Sequence, residues 1–312
     1  MIVLGIDTSN YTTSAALWQD VPSSMNTASQ LLNVQPGSLG LRQSEAVFQH
    51  TKALNAVLDR VLTNAPGPVD AIGVSVSPRS ENDSYMPCFL VGRMAAHAIG
   101  SALSVPVVET SHQAGHIAAA AFGAGRTDLL ISRFLAFHFS GGTTDAVLAE
   151  PTADHTLHIT HVAGSLDLKA GQAIDRVGGM LGLAFPAGKE LDKLALQGMA
   201  PLKPKPVMRD ADCSLSGIEN QCRQLLQKGA RAQDVARYCI ECVGAAAAGM
   251  TQALLARYGD LPVLYAGGVM SNTLLQQQLS RRFGGIFAPP AFSSDNAAGV
   301  AVLAKWKIAG EL

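Results

Sequence analysis

The chain has 312 residues, of which 48% are hydrophobic and 15% are charged, and its formal net charge is −1. This length predicts about two domains with enough apolar material for two buried cores, and the near-neutral charge gives no support for a nucleic-acid-binding protein recognisable by composition. No apolar run approaches the ~18 residues of a membrane span, the first residues lack the basic region of a signal peptide, and the five cysteines fit reduced thiols, so we expect a cytoplasmic protein that does not contact a membrane.

One pattern, an apolar run followed by a small polar turn and a second apolar run, occurs at 2–18 and again at 134–150. We predict a β-hairpin in each place, with hydroxyls, glycine and one carboxylate at its tip: Asp7 in the first and Asp145 in the second. Hydroxyls and free backbone N–H groups at a tight turn can bind an anion. The repetition predicts two related halves that close on one phosphorylated ligand.

Between and after the hairpins, strand patterns alternate with helix patterns, which indicates α/β layering. Strands are predicted at 69–77, 105–109 and 261–266, and helices at 44–62, 86–103 (buried), 111–122, 169–183, 189–197, 234–258, from Gly268 to Phe283, and from 297 to 308. The linker 123–128 is the best domain boundary. The predicted halves are therefore 1–128 and 129–296, with the C-terminal helix 297–312 packed on the first.

The stretch Pro201–Pro206 (PLKPKP) is predicted to be an extended basic loop, because proline does not fit a helix interior. Lys203, Lys205 and Arg209 are either ordinary solvated side chains or contacts for phosphate groups.

His112 and His116 have the i, i+4 spacing that places two imidazoles on one helix face, within reach of one metal ion. The alternative is a purely structural pair. A zinc peptidase of the His-Glu-x-x-His type needs a glutamate after the first histidine as general base, and Gln113 cannot accept a proton at neutral pH. The pair therefore favours metal binding over peptidase chemistry. Four other histidines are expected at strand positions with structural roles: His138, His155, His158 and His161.

Asp295 lies just before the apolar C-terminal helix, where an aspartate is commonly an N-cap. The alternative is that Asp295 is the third metal ligand. Two histidines and one carboxylate would leave coordination positions open for phosphate oxygens or water.

The second hairpin tip has the sequence Ser140-Gly141-Gly142-Thr143. Paired glycines permit close backbone approach and the flanking hydroxyls add donors, which suits phosphate, although Gly-Gly is also common in plain hairpin turns.

In the helix 169–183, one face carries Asp175 among glycines, namely Gly171, Gly178 and Gly179. Glycine is unfavourable within a helix, so this face is expected to allow a close approach. Asp175 would then meet a sugar hydroxyl, or else lie at the rim of a tight helix contact. The segment 267–272 combines a strand end, a glycine turn and a helix start, which is the usual place of a ligand crevice in α/β sheets.

These motifs, in this order, resemble the actin-like ATPase superfamily and, more closely, the threonylcarbamoyl-adenosine tRNA transferase family, once described as O-sialoglycoprotein endopeptidases. The resemblance covers nearly the whole chain. Its motifs are GIDTS at 5–9, the two histidines, SGGTT at 140–144, AGQAID at 170–175, LGLAFPAGKELDKLA at 181–195, SLSG at 214–217, AGGVMSN at 266–272 and SSDNAA at 293–298. It implies an α/β fold of two duplicated actin-like ATPase (ribonuclease H-like) halves with a central cleft.

The resemblance also implies a role for each matching residue. One divalent metal ion, with iron, zinc or magnesium as candidates, would be bound by His112, His116 and Asp295. Phosphates would be cradled by Ser140, Gly141, Gly142 and Thr143, and the adenosine of ATP or of an acyl-adenylate would be held by Asp175, Gly188, Asp192 and Asn272. The family transfers a threonylcarbamoyl group from its adenylate to N6 of a tRNA adenosine. Its members often act beside partner proteins, including a related inactive homologue, so a homodimer or a heteromer with related proteins is expected.

Three positions depart from the family pattern. The family has an adjacent acidic pair after GIDTS, where this chain has Tyr11 and Thr12; its SGGHT is SGGTT here, with Thr143 in place of histidine; and its glycine-rich GPG loop is replaced by PRSEND at 78–83. We expect Asp7 and Thr12 at catalytic positions. The sequence thus predicts a metal- and adenylate-dependent carbamoyl-type transferase. The alternative is a nucleotide-binding partner or scaffold with little turnover, and Gln113 argues against a metallopeptidase.

Overall fold

A computed structural model describes residues 1–9, 11–20, 23–34, 40–63, 65–81, 83–293 and 297–311. The chain divides into two compact units. Unit 1 consists of 1–132, 150–159 and 291–312, and unit 2 consists of 133–149 and 160–290. The C-terminal helix therefore belongs to unit 1, together with a short excursion of the chain around residue 155.

The elements are numbered in chain order. The strands are β1 (Ile2–Ser9), β2 (Thr12–Gln19), β3 (Ser24–Leu31), β4 (Ala71–Ser77), β5 (Val107–Ser111), β6 (Phe134–Phe139), β7 (Thr144–Pro151), β8 (Leu157–Gly164), β9 (Val207–Arg209), β10 (Asp212–Ser214), β11 (Val263–Ala266) and β12 (Ile286–Phe287). The helices are α1 (Gln43–Leu62), α2 (Phe89–Leu103), α3 (His112–Gly123), α4 (Ala170–Met180), α5 (Gly188–Ala195), α6 (Gly217–Gln227), α7 (Ala232–Tyr258), α8 (Thr273–Phe283) and α9 (Ala298–Ala309).

Unit 1 contains a five-stranded sheet in the order β3-β2-β1-β4-β5. Strands β1, β2 and β3 are antiparallel, whereas β4 and β5 run parallel to β1. The predicted first hairpin is β1–β2, and both of its strands are almost entirely buried. A strand that is buried on both faces has a nearly continuous apolar sequence, and this pattern predicts the hairpin.

Helices cover both faces of the unit 1 sheet. On one face α1 supplies Leu54 and Val57 to a core that also contains Ile6. On the other face α9 lies directly on the strands: a Cβ added at Gly5 would stand 2.4 Å from the Ala297 carbonyl oxygen. Only glycine permits this approach, so α9 packs on the strands of unit 1 at backbone distance.

Unit 2 contains a second five-stranded sheet in the order β12-β11-β6-β7-β8. Its β6–β7 pair is the predicted second hairpin, and β11 and β12 are parallel to β6. Helix α7 is the centre of the unit 2 core and contacts α4, α5, α6 and α8. Among the described residues α7 has the length and apolar composition of a membrane span, but 61% of its most apolar window is buried inside the protein, as expected for a core helix.

Several predicted boundaries differ from those of the structure, among them those of β5 and α2. Strand β5 begins at Val107 rather than at 105, because Pro106 has no N–H to donate to a ladder and pairing with β4 starts at Val107. Helix α2 begins at Phe89 and is not fully buried, since Met94 on it is 66% exposed. Its polar side chains Arg93, His97 and Ser101 recur every four residues and are all exposed, so they form a narrow polar stripe on the solvent side of the helix.

The predicted strand position of His155 is also wrong. His155 lies in the turn between β7 and β8 with a φ of 58°, and its ring is 5.6 Å from that of Trp306. The other three histidines lie on β6 and β8 as expected. Strand β3 and helix α6 were not predicted. The residues of β3 are mostly exposed, so it lacks the alternating apolar pattern of a half-buried strand.

Candidate functional site

A cavity of about 730 Å³ lies within unit 2. Its walls come from the β6–β7 tip, α4, the segment before α5, α5 itself and the turn after β11. The lining residues are Ser140, Gly141, Gly171, Ile174, Asp175, Phe185, Pro186, Gly188, Lys189, Asp192, Gly268, Val269, Ser271, Asn272 and Pro290. The volume is within the range of pockets that bind small molecules and cofactors. The predicted phosphate-binding and adenosine-binding residues Ser140, Gly141, Asp175, Gly188, Asp192 and Asn272 therefore share one cavity.

The N-terminus of α4 abuts the β6–β7 tip. Gly171 donates its N–H to the Ser140 carbonyl over 3.0 Å, and Ala170 donates to the Thr144 hydroxyl over 2.8 Å. A Cβ at Gly171 would lie 2.7 Å from both Cα and N of Gly141. Glycine at this position therefore lets the helix start and the tip touch through their backbones, as the glycine face of the sequence predicted.

The tip satisfies part of its own hydrogen-bonding capacity. The Ser140 hydroxyl accepts from the N–H groups of Gly142, over 3.2 Å, and Thr143, over 3.0 Å. The Gly141 N–H forms no hydrogen bond with the described residues. Gly141 and Gly142 are exposed, so an anion could reach the Gly141 N–H directly, while the Ser140 hydroxyl shapes the loop.

Two acidic residues line the cavity from α4 and α5. The Asp175 Oδ1 accepts the Ala187 N–H over 2.8 Å, which fixes the segment before α5 against α4 and leaves the second carboxylate oxygen for another partner. Asp192 accepts weakly from Thr273, at 3.4 Å, and its Oδ1 is buried without a hydrogen-bond partner. The Ser271 hydroxyl is buried and unpartnered as well.

Buried polar atoms are rarely left unpaired in folded proteins. Asp192 Oδ1 and Ser271 Oγ belong to two lining residues of one cavity, so they point to a polar ligand that supplies the missing hydrogen bonds. An acceptor and a hydroxyl in the lining of one cavity suit the hydroxyl groups of a sugar.

Asn272 has a structural task in addition to its predicted one. Its Oδ1 caps α8 by accepting from the N–H groups of Leu274, at 3.0 Å, and Leu275, at 3.1 Å. An asparagine N-cap stabilises a helix start in this way. The side-chain amide nitrogen is then the group that remains for a ligand in the cavity.

Part of the cavity lining is apolar. Phe185 is 84% exposed and stands beside Pro186 and Pro290 in the lining. An exposed phenyl ring of this kind provides a flat surface on which a planar base can stack. Lys189 lies on the same stretch of chain and adds a cation to the lining.

Unit 1 contains the second group of predicted site residues. Ser111 ends β5, and its hydroxyl accepts the Ala114 N–H over 3.2 Å as the N-cap of α3. His112 is therefore the first helical residue, and the Nε2 atoms of His112 and His116 lie 2.9 Å apart. Two nitrogens bound to one divalent ion at ~2.0–2.1 Å are separated by about 2.9–3.4 Å for bond angles between 90° and 109°. The pair thus has the convergence that a shared metal ion requires.

Asp7 orients this pair. Its Oδ2 lies 2.6 Å from Nδ1 of His112, and a carboxylate on one ring nitrogen keeps the lone pair of the other nitrogen available to a metal. Burial by itself raises the pKa of Asp7, but the neighbouring His112, with a smaller contribution from His116, holds the pKa below its ordinary value. Asp7 is 1% exposed and pairs with Ser14 inside β1, so the prediction that it lies at the hairpin tip is wrong.

Three buried oxygens near this pair have no hydrogen-bond partner among the described residues: Asp7 Oδ1, Ser9 Oγ and Ser75 Oγ. They belong to adjacent strands β1 and β4, which run parallel. Such atoms normally bind ordered water or a ligand. The residues present fit a cation held by the two imidazoles, although the described residues contain no group of three or more His, Cys, Asp or Glu side chains placed to hold a metal.

Some predicted residues are outside this geometry. Asp295 lies outside the described residues, as does Asn82 of the loop at 78–83. Thr12, predicted at a catalytic position, begins β2 and is 8% exposed. Tyr11 stands in the turn before it, so the two positions of the family's acidic pair carry a phenol and a hydroxyl.

Comparisons with known proteins show the family to which the chain belongs. The family described as TsaD, tRNA N6-adenosine threonylcarbamoyltransferase, matches residues 25–302. A tRNA N6-adenosine threonylcarbamoyltransferase of Geotalea uraniireducens is 31% identical over 327 residues, covering 97% of this chain and 90% of that protein. One of Thermus thermophilus is 30% identical over 315 residues, covering 98% of this chain and 93% of that protein.

Two solved structures show the fold. A ROK family glucokinase from Streptomyces griseus, in complex with glucose and AMPPNP, has a TM-score of 0.54 at 13% identity and covers 98% of this chain and 99% of that one. The (R)-2-hydroxyglutaryl-CoA dehydratase component A from Acidaminococcus fermentans has a TM-score of 0.54 at 16% identity, covering 99% of both chains. The predicted duplicated actin-like ATPase fold is thereby confirmed.

Proposed function

Because this chain belongs to the tRNA N6-adenosine threonylcarbamoyltransferase family, we propose that it transfers a carbamoyl-type acyl group from an adenylate, held in the unit 2 cavity, to an acceptor nitrogen. Its function is of the tRNA threonylcarbamoyladenosine transferase type, and the proposed acceptor is N6 of a tRNA adenosine. A cytoplasmic location is part of the proposal, because the cysteines are free and buried.

The observation that carries the proposal is the pair of unpartnered buried oxygens in the cavity, Asp192 Oδ1 and Ser271 Oγ. In the proposed complex the ribose hydroxyls donate to Asp192 and to the free oxygen of Asp175. The base stacks on Phe185, in the apolar part of the lining. The phosphate oxygens accept from the Gly141 N–H and from the ammonium group of Lys189.

The proposed metal site uses His112 and His116, with Asp295 as the predicted third ligand. When bound, a divalent cation would supply a Lewis acid. The residues of this chain prepare the site: Asp7 accepts a hydrogen bond from Nδ1–H of His112, which keeps the proton on Nδ1, leaves Nε2 unprotonated and fixes the orientation of the ring.

In the proposed transfer, the acceptor nitrogen attacks the carbonyl carbon of the acyl group. A C–N bond forms, the C–O bond to the phosphate breaks, AMP leaves with the electron pair of that bond, and the nitrogen gives one proton to a phosphate oxygen of AMP or to water. The family's acidic pair is replaced by Tyr11 and Thr12, so no carboxylate at those positions can accept that proton. The comparisons give no specific support to the alternative of a scaffold with little turnover, and the rate of transfer to unmodified tRNA separates the two.

The experiment that tests the cavity is calorimetric titration of the protein with ATP in the variant Asp192→Asn. A charge-assisted hydrogen bond contributes ~1.5–3 kcal/mol, so we expect nucleotide binding to weaken about 10- to 100-fold. The matched control is Glu190→Gln on the same helix; Glu190 is exposed, pairs with Lys193 and does not line the cavity. Equal ATP affinity in Asp192→Asn and in the parent protein would contradict the proposed nucleotide site.

A further inference from the structure

A second groove in unit 2 has no part in the proposed chemistry. It has a volume of about 680 Å³ and lies between α7, α8 and the loop 201–206. Its lining residues are Lys203, Pro204, Pro206, Arg237, Ile240, Glu241, Ala245, Gly249, Gln252, Leu274, Gln277, Gln278, Arg281 and Arg282. It shares no residue with the nucleotide cavity.

The groove is strongly basic for a chain whose net charge is −1. The charge of Arg237 is offset by Glu241, which it contacts at 2.5 Å. Lys203 and Arg281 form no ion pair with any described residue, and the hydrogen bond of Arg282 is to the neutral Gln252. Three cationic charges, those of Lys203, Arg281 and Arg282, are therefore uncompensated by the described residues of one groove.

The shape of the groove favours an extended polyanion. Ala245 and Gly249 are small residues one helical turn apart on α7, and the Met208 side chain packs against Gly249, where an added Cβ would stand 2.9 Å from its sulfur. Proline fixes the backbone dihedral φ, and the prolines of the extended loop hold Lys203 at the rim rather than let it fold away. Side-chain amides from Gln277 and Gln278 stand beside the cations and can donate to sugar hydroxyls or phosphates.

We propose that this groove binds the sugar–phosphate backbone of the acceptor tRNA, an inference that rests on the proposed function. Arginine, lysine and amide side chains make most protein contacts to nucleic-acid phosphates and sugars. A protein partner is less suited to this groove, because protein interfaces rely on buried aromatic anchors and none of its described lining residues is aromatic. The sequence already marked Lys203 as a candidate phosphate contact, and the structure adds two arginines from α8.

The test is binding of an unmodified tRNA transcript by the full-length variant Lys203→Gln/Arg281→Gln/Arg282→Gln across a range of salt concentrations. Each phosphate neutralised contributes a slope of about −0.7 to −0.9 in log K against log salt concentration. We therefore expect the slope to become less negative by about 2 and the affinity at low salt to fall about 10-fold or more. Affinity for ATP should not change, because none of these residues lines the nucleotide cavity.

The matched control removes three other cations of unit 2, in Arg176→Gln/Arg223→Gln/Lys228→Gln, none of which lines the groove. This control should retain most of the tRNA affinity. Equal losses in the two triple variants would show that general charge, not the groove, binds RNA, and unchanged binding in the first would overturn the proposal directly.

Two further outcomes are informative. Lys203→Gln alone, on an exposed loop, should weaken tRNA binding by a smaller factor without affecting folding. If an acidic peptide such as poly-glutamate displaces tRNA and binds with the same dependence on the three cations, the groove is a protein-binding site and the proposal is wrong. The binding assay contains no acyl donor and does not depend on acyl transfer. Failure of acyl transfer would therefore contradict the proposed function without affecting the comparison of tRNA affinities between the parent protein and the variants.

Discussion

The contact between α4 and the β6–β7 tip can be tested with a pair of identical substitutions on one helix. In Gly171→Ala the new Cβ would lie 2.7 Å from Cα and N of Gly141, whereas at Gly179 nothing lies within 4 Å of the added Cβ. The atoms in the way at Gly171 are backbone atoms and cannot rotate aside. Reaching ordinary contact at 3.4 Å requires the helix and the tip to separate by about 0.7 Å.

The two variants are expected to have opposite effects. Replacing glycine by alanine within a helix stabilises by about 0.5–1 kcal/mol, so Gly179→Ala should raise the free energy of unfolding by that amount. In Gly171→Ala the same gain is opposed by overpacking, which costs about 1–3 kcal/mol. We expect a net loss of about 1–2 kcal/mol and, because the Gly141 N–H is displaced, ATP binding at least about 10-fold weaker.

Urea denaturation and calorimetric titration with ATP measure the two quantities on the same samples. Gly179→Ala controls for the loss of backbone freedom in the unfolded chain, which is the same for both substitutions. If Gly171→Ala were as stable as Gly179→Ala and bound ATP like the parent protein, the close approach of α4 to the tip would have no role in binding.

Three other perturbations have defined outcomes. Burial lowers the pKa of His50 from 6.5 to about 4, so the unfolded state binds more protons and the free energy of unfolding falls as pH drops from about 6.5 to about 4. His50→Gln should therefore remove about 2 kcal/mol of the difference in unfolding free energy between pH 7 and pH 5. Parallel curves of unfolding free energy against pH for the variant and the parent protein would disprove this. Asp7→Asn should weaken metal binding about 10- to 100-fold by releasing the His112 ring, measured by competition with a metallochromic dye; unaltered affinity would exclude the orienting role. Phe185→Ala should weaken ATP binding about 5- to 100-fold through lost stacking while leaving stability unchanged. Met199 is also exposed but lies outside the cavity, so Met199→Ala should change neither ATP binding nor stability.

The sequence located much of the fold because its strongest signals are local. Strands β1 and β6 are long apolar runs, and the i, i+4 spacing of His112 and His116 needs only a helix to bring the imidazoles together. The exposed edge strand β3 has neither an apolar run nor an alternation of apolar and polar residues that would predict a strand. Helix α6 begins where the SLSG motif ends, and its apolar residues do not distinguish it in the sequence from the loop before it.

The site was only partly predictable for a different reason. Asp192 and Asn272 were named through the family resemblance, and the cavity joins them. Ser271, Lys189 and Phe185 were missed, because a hydroxyl, a surface cation and an exposed ring have no distinctive spacing in sequence. Phe185 was nonetheless inside the motif LGLAFPAGKELDKLA, where a large apolar residue between small ones was a usable signal. The position of Asp7 within β1 depended on strand register, which the turn sequence alone did not fix.

The seating of α9 on β1 has a consequence for synthesis of the protein. The sheet of unit 1 is built largely from the first third of the chain, but one of its covers, which approaches Gly5 at backbone distance, comes from the segment 291–312. Apolar side chains such as Val3 and Ala71, which pack against Ala301, must wait for that segment to be translated. We expect nascent chains that stop short of it to expose one sheet face and to depend on chaperones until that segment has been synthesised.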